Sequence, residues 1–175
     1  KLTLNQNAKF VQKLSDTIET KFNFSSKPLN RLEIIKNSVH DNEQTKEERL
    51  LKLKKRIDSI ENCNLKSNSK KLIMGDGNIN SAIMIIGEAP GSLETNLGLT
   101  FQGDVGILLN KMLLAIDIKR EKIYSTYSIN HRTPDDRKPT SQEINRYSIF
   151  LKEHISIIDP KILILLGTTS MQSVT

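Results

Sequence analysis

Three short apolar runs, each leading into a turn, restrict what this chain can fold into more than anything else in it. Residues 82–86 read Ala-Ile-Met-Ile-Ile and stop at Gly87; residues 162–166 read Ile-Leu-Ile-Leu-Leu and stop at Gly167. A continuous apolar run closed by glycine is the pattern of a strand buried on both faces, as in a parallel sheet. Residues 122–129, with Ile123, Tyr124 and Ile129, supply a third strand. Between the runs the spacing changes to that of helices. Residues 106–116 would place Ile107, Leu108, Met112 and Leu113 on one face, and residues 141–157 open on the capping box Thr140-Ser-Gln-Glu143. Strand, helix, strand, helix, strand predicts an α/β fold: three layers, α/β/α, with a central, mostly parallel sheet flanked by helices. Sites in such sheets gather at the carboxyl ends of the strands, which selects the loops after Ile86, Ile129 and Leu166.

Upstream, Leu50, Leu51, Leu53, Ile57 and Ile60 recur at helical spacing, with Thr45 as cap and Glu47 and Glu48 in the first turn. This predicts a helix over 45–62. Residues 1–45 are rich in Asn, Lys, Ser and Thr and read as a polar N-terminal extension, partly helical (8–22 and 30–38) or flexible. Residues 46–175 then form one domain.

Lysine and arginine number 26 against 20 acidic residues, a net charge of +6, which suits an acidic partner such as nucleic acid. Cys63 is the only cysteine. It excludes an internal disulfide and a cage of several thiolates, and it suits a reducing compartment. No apolar run reaches the roughly 18–20 residues of a membrane span, so a soluble, cytoplasmic protein without a membrane partner is expected.

The loop after the first strand carries the densest chemistry. It reads Gly87-Glu88-Ala89-Pro90-Gly91-Ser92-Leu93-Glu94, followed by Gly98, Phe101, Gly103 and Gly106. Glycines around a proline let backbone N–H groups turn towards a bound group, and two nearby carboxylates offer hydrogen bonding or base catalysis. An ordinary strand-to-helix loop with exposed acids would share that composition.

The order of these residues is more specific. Gly-Glu-Ala-Pro-Gly-x-x-Glu, then Gly-x-x-Phe-x-Gly-x-x-Gly-x-Leu-Leu, resembles the first active-site segment of the family 4 uracil-DNA glycosylases. The resemblance continues through Met74 to Asn78, Ile123-Tyr124, Arg132 to Pro139, Glu143-Ile144, Phe150-Leu151 and Pro160 to Gly167, covering residues 60–175. It implies a base-excision repair hydrolase that flips uracil from single- or double-stranded DNA and cuts its N-glycosidic bond, working as a monomer on the bacterial nucleoid. Glu88 and Glu94 would be catalytic, Gly87, Ala89, Phe101 and Tyr127 would hold uracil, and Arg132, Arg137 and Lys138 would contact DNA.

The sequence departs from the family pattern at several positions. Tyr127 stands where the family has an Asn that reads the uracil edge, and Asp136 where it has a second Asn. Tyr127 either recognises the base through its hydroxyl or faces the core. The four cysteine positions of the family's iron–sulfur cluster fall on Ile60, Cys63, His131 and Tyr147, so no cofactor and no metal is expected. Ile60 and Tyr147 would fill that space by packing. The family's His-Pro-Ser segment lies beyond Thr175, where the sequence ends, and His40 and His154 are not placed to replace it. The alternative is a non-catalytic or altered-specificity nucleic-acid-binding member of the same superfamily. A nucleotide-binding α/β enzyme unrelated to repair ranks last, because the phosphate loop it would need, Gly-x-x-x-x-Gly-Lys-Ser/Thr, does not occur.

Overall fold

The computed structural model describes residues 44–69 and 71–175. Most of the N-terminal extension, including the helices expected over 8–22 and 30–38 and His40, lies outside the described residues. Among the described residues four strands and six α-helices follow in order: α1 (Lys46–Asp58), α2 (Asn64–Asn68), β1 (Asp76–Gly77), β2 (Ile83–Gly87), α3 (Ser92–Leu97), α4 (Gly103–Ala115), β3 (Tyr124–Tyr127), α5 (Ser141–Ile158), β4 (Ile162–Leu165) and α6 (Thr168–Val174). The sheet order is β1-β3-β2-β4, with β2 parallel to both β3 and β4, and β1 antiparallel to β3. A mostly parallel sheet flanked by helices is the expected class.

Alternation along β2 explains the layers. Ile83 and Ile85 point to one side, where they pack with Leu109 and Leu113 of α4 and with Ile123 and Tyr127. Met84 and Ile86 point to the other, against Leu151 and Ile158 of α5 and Val174 of α6. A third cluster, Leu53, Ile57, Cys63, Leu65, Ile129, Ile144, Tyr147 and Ile157, joins α1 to α5. The predicted capping box of Thr140 with Glu143 is present on α5, and the expected cap Thr45 on α1 forms a capping box with Glu48. The C-terminal carbonyl end of α5 also receives a cation, since Lys46 Nζ donates to Ile158 O at 2.6 Å.

Three expectations are corrected. The middle strand is shorter than residues 122–129: residues Arg120–Lys122 form a 3-10 turn, and only Tyr124–Tyr127 pair with β2. On α4 the buried face is Gly106, Leu109 and Leu113; Ile107, Leu108 and Met112 are exposed, although Leu113 is buried as expected. The helix begins at Gly103, so its first turn was hidden by glycines that read as loop. Last, β4 is not buried on both faces. Leu163 and Leu165 pack into the α5–α6 layer, while Ile162 and Ile164 stay 53% and 36% exposed. Among the described residues β4 pairs with β2 alone, and α4 packs over β2 and β3 rather than over β4.

Candidate active site

The carboxyl end of β2 opens into a cleft of about 370 Å³ lined by Gly87, Glu88, Ala89, Gly91, Glu94, Phe101, Val105, Tyr127 and Leu166. The structure therefore brings together Gly87, Glu88, Ala89, Glu94, Phe101 and Tyr127, all six residues expected to hold or cut the base. Hydrogen bonding between the strand ends fixes the floor. Ser128 donates to Gly87 O through its N–H (2.8 Å) and its hydroxyl (3.0 Å), and Ile129 N–H donates to Glu88 O at 3.1 Å.

The two carboxylates differ in their commitments. Glu88 is half-buried, and its Oε2 accepts one hydrogen bond, from Thr169 Oγ1 of α6 at 2.6 Å. Glu94 is buried, and both its oxygens are taken by backbone: Oε2 by Gly91 N–H at 3.1 Å and Oε1 by Gln102 N–H at 2.9 Å. It ties the glycine loop to the start of α4.

Phe101 sits at φ 50°, the left-handed region, which is uncommon for a bulky residue and persists only where surroundings enforce it. Its N–H donates to Tyr127 Oη at 2.8 Å, and the two rings lie 5.0 Å apart at 40°. Two glycines make room for this pair. A Cβ on Gly87 would meet Phe101 Cζ at 2.8 Å and Tyr127 ring carbons at 2.9 Å, and one on Gly106 would meet the Phe101 carbonyl oxygen at 1.8 Å. Of the two alternatives left open by sequence for Tyr127, the core position is the one the packing shows. Its ring is core, 4% exposed, and its hydroxyl is engaged by protein backbone, yet the side chain still lines the cleft. Burial pushes its phenol pKa well above the ordinary value.

The basic loop is more neutral than its sequence suggests. Arg132 forms a bidentate pair with Asp136, both contacts at 2.7 Å, and Arg137 pairs with Glu143 at 2.9 and 2.7 Å. Hydrogen bonding to Arg137 holds the Glu143 carboxyl at about 2. Lys138 is exposed.

The four positions of the family's cluster do meet in space, but as a different assembly. Ile60, Cys63 and Tyr147 share the α1–α5 core, and the Tyr147 hydroxyl lies 3.4 Å from Cys63 Sγ and 2.8 Å from His131 Nδ1. A thiol donating to the phenol and the phenol donating to Nδ1 of a neutral imidazole gives each of the two bonds a donor and an acceptor. One thiol, one phenol and one imidazole already bonded to each other do not fit an iron–sulfur cluster, which takes four thiolates.

This chain of buried groups makes stability pH-dependent. Burial lowers the pKa of His131 to about 4, and burial likewise lowers that of His154, which bonds Tyr124 Oη at 2.9 Å, to about 4. Between about pH 6.5 and pH 4 the unfolded chain binds more protons than the folded one, so this contribution is full above pH 6.5 and is lost as pH falls. Urea titrations at about pH 7 and pH 5 are expected to differ by roughly 2 kcal/mol per histidine. His154→Gln, which cannot titrate, should remove about half of that difference; an unchanged slope would refute the assignment.

Sequence reasoning selected the loop after Leu166 but named no residue in it. Thr169, which holds Glu88, and Leu166, which lines the cleft, come from there. Only the strand-end rule could have found them.

Fold and site together define an α/β domain whose cleft, at the carboxyl ends of parallel strands, sets an aromatic wall beside a carboxylate. A family model described as the uracil DNA glycosylase superfamily matches residues 74–175. The chain belongs to that superfamily. Among curated relatives, the Type-4 uracil-DNA glycosylase of Thermotoga maritima is 33% identical over 127 residues, which is 73% of this chain and 66% of the relative. That of Archaeoglobus fulgidus is 34% identical over 116 residues, 66% of this chain and 58% of the relative. That of Pyrobaculum aerophilum is 32% identical over 124 residues, with shares of 71% and 63%. The chain spans no more than about two thirds of the length of these relatives. No helix among the described residues is long and apolar enough to cross a membrane.

Proposed function

We propose that this domain hydrolyses the N-glycosidic bond of uracil in DNA after the base has left the helix stack. The observation that carries the reading is the cleft at the end of β2, where Glu88 and Phe101 meet within a space of about 370 Å³. A flipped base needs a flat wall, donors for its developing negative charge and a counter-charge for the sugar. Phe101 supplies the wall. The C1′–N1 bond breaks with its electron pair leaving on uracil, and water adds its oxygen to C1′ as its proton passes to Glu88. Glu88 also stabilises the positive charge that builds on the sugar. The amides of Gly91, Phe101 and Gln102 are committed to Glu94 and Tyr127, so those of Glu88 and Ala89 are the donors for the uracil oxyanion.

Glu94 takes a different part from the catalytic one its sequence position suggested. With both oxygens on backbone amides it is a positioning residue, holding the glycine loop against α4. Arg132 and Arg137 would reach phosphate only by sharing their carboxylate partners, which leaves Lys138 as the readier contact.

A second reading has one observation in its favour: Tyr127 Oη is spent on Phe101, and no side-chain amide stands at that position to read the base edge. Altered base specificity follows from it. Base release from single-stranded oligonucleotides carrying uracil, thymine or hypoxanthine separates the two. Uracil is expected to be released, with Phe101→Ala slower by about tenfold or more, since stacking on an aromatic is worth about 1–3 kcal/mol. Comparable release of hypoxanthine would favour the second reading. No release of any base by folded full-length protein would remove both catalytic readings and leave a binding role.

A further inference from the structure

Three consecutive backbone N–H groups around the stacking aromatic are each held by a side-chain oxygen from a different element. Thr100 N–H donates to Asp76 Oδ2 of β1, Phe101 N–H to Tyr127 Oη of β3, and Gln102 N–H to Glu94 Oε1 of α3. The Asp76 arm is itself built. Its Oδ2 also accepts from the Thr100 hydroxyl at 3.0 Å; its Oδ1 accepts from Arg120 Nη2 at 2.8 Å and from the Ser125 hydroxyl at 3.2 Å. Arg120 Nη2 further reaches Thr100 Oγ1 at 2.9 Å and the Ser125 hydroxyl. Thr100 and Ser125 are fully buried, and the Asp76 and Arg120 side chains keep about a fifth of their surface, 21% and 22%. None of Asp76, Arg120, Thr100 or Ser125 lines the cleft.

We propose that Asp76, with Arg120 and Ser125 as its supports, is a positioning residue that sets the stacking wall by fixing the backbone immediately before Phe101. A left-handed aromatic residue is not a conformation the chain adopts on local preference. The carboxylate pins the peptide on its N-terminal side, Glu94 pins the peptide on its C-terminal side, and the ring is thereby aimed between Tyr127 and the cleft. Ion pairing to Arg120 fixes the carboxylate in turn. The functional consequence rests on the glycosylase reading; the mechanical one does not.

The test uses the full chain carrying Asp76→Asn, which keeps the side chain's shape but loses its charge and one acceptor. Exchange of the Phe101 amide proton, followed by NMR, is expected to quicken by about tenfold, and single-turnover uracil release to slow by about tenfold with DNA affinity unchanged. A purely structural role would lower the melting temperature and leave the rate per folded molecule intact. Thr100→Val should reproduce the loss and Thr100→Ser should restore it; this pair also carries the test if Asp76→Asn does not fold. If wild-type protein releases no uracil, the glycosylase reading fails, and the exchange measurement alone decides whether the clamp exists. Amide exchange and release rate both within about twofold of wild type would overturn the proposal.

Discussion

Gly106→Ala is expected to slow uracil release by about 100-fold and to lower stability by about 1–3 kcal/mol. The added methyl would sit 1.8 Å from the Phe101 carbonyl oxygen and 2.6 Å from its carbonyl carbon, both backbone atoms. No rotamer change relieves such a contact, so either the first turn of α4 or residue 101 must move by more than an ångström. Phe101 is the weaker side, because its left-handed backbone already depends on outside bonds. Its displacement would break the N–H bond to Tyr127 and turn the ring out of the cleft. Thermal melting and single-turnover release on the same preparation check both halves. A folded variant releasing uracil at the wild-type rate would show that the ring's position does not matter, and Phe101 would lose its assigned part.

The second large effect concerns charge rather than shape. Glu88→Gln is expected to slow base release by about 10²–10⁴-fold, the usual range for a positioned acid–base group. The substitution is close to isosteric, and its amide oxygen can still accept from Thr169, now bonded to Glu88 Oε2 at 2.6 Å. What it removes is the negative charge facing the cleft and the ability to take a proton. Thr169→Ala supplies the contrast, since it frees the carboxylate while keeping its charge; release should then fall by no more than about tenfold. Equal losses in both variants would mean that Glu88 acts only as an anchor for α6. A Glu88→Gln enzyme with unchanged single-turnover rate would dismiss the proposed chemistry altogether.

The elements legible in the sequence were those written in local pattern. The β2 run, the cap at Thr45, the capping box at Thr140, and the α1 and α5 periodicities each appear within a residue or a few of where they were expected. Two of the three misreadings share one cause. Which face of α4 is buried, and whether β4 is covered on one side or two, depend on neighbours that arrive from elsewhere in the chain. An apolar residue such as Leu108 or Ile162 carries the same signal whether or not a partner lies over it.

The cleft divides in the same way. Gly87, Glu88, Phe101 and Gly106 could be named from their order alone, because their spacing along one segment is local. That Glu94 spends both oxygens on backbone, that Tyr127 gives its hydroxyl to Phe101, and that Arg132 and Arg137 have carboxylate partners could not. Residue type fixes how many hydrogen bonds a side chain can make, but only the packed structure decides with whom. The sequence by itself therefore determined the α/β class and the segment that forms the cleft. Tertiary structure decided which of that segment's polar groups remain for a substrate. It did so by joining Asp76, Glu94 and Tyr127, 18 to 51 residues apart from one another along the chain, to three successive amides.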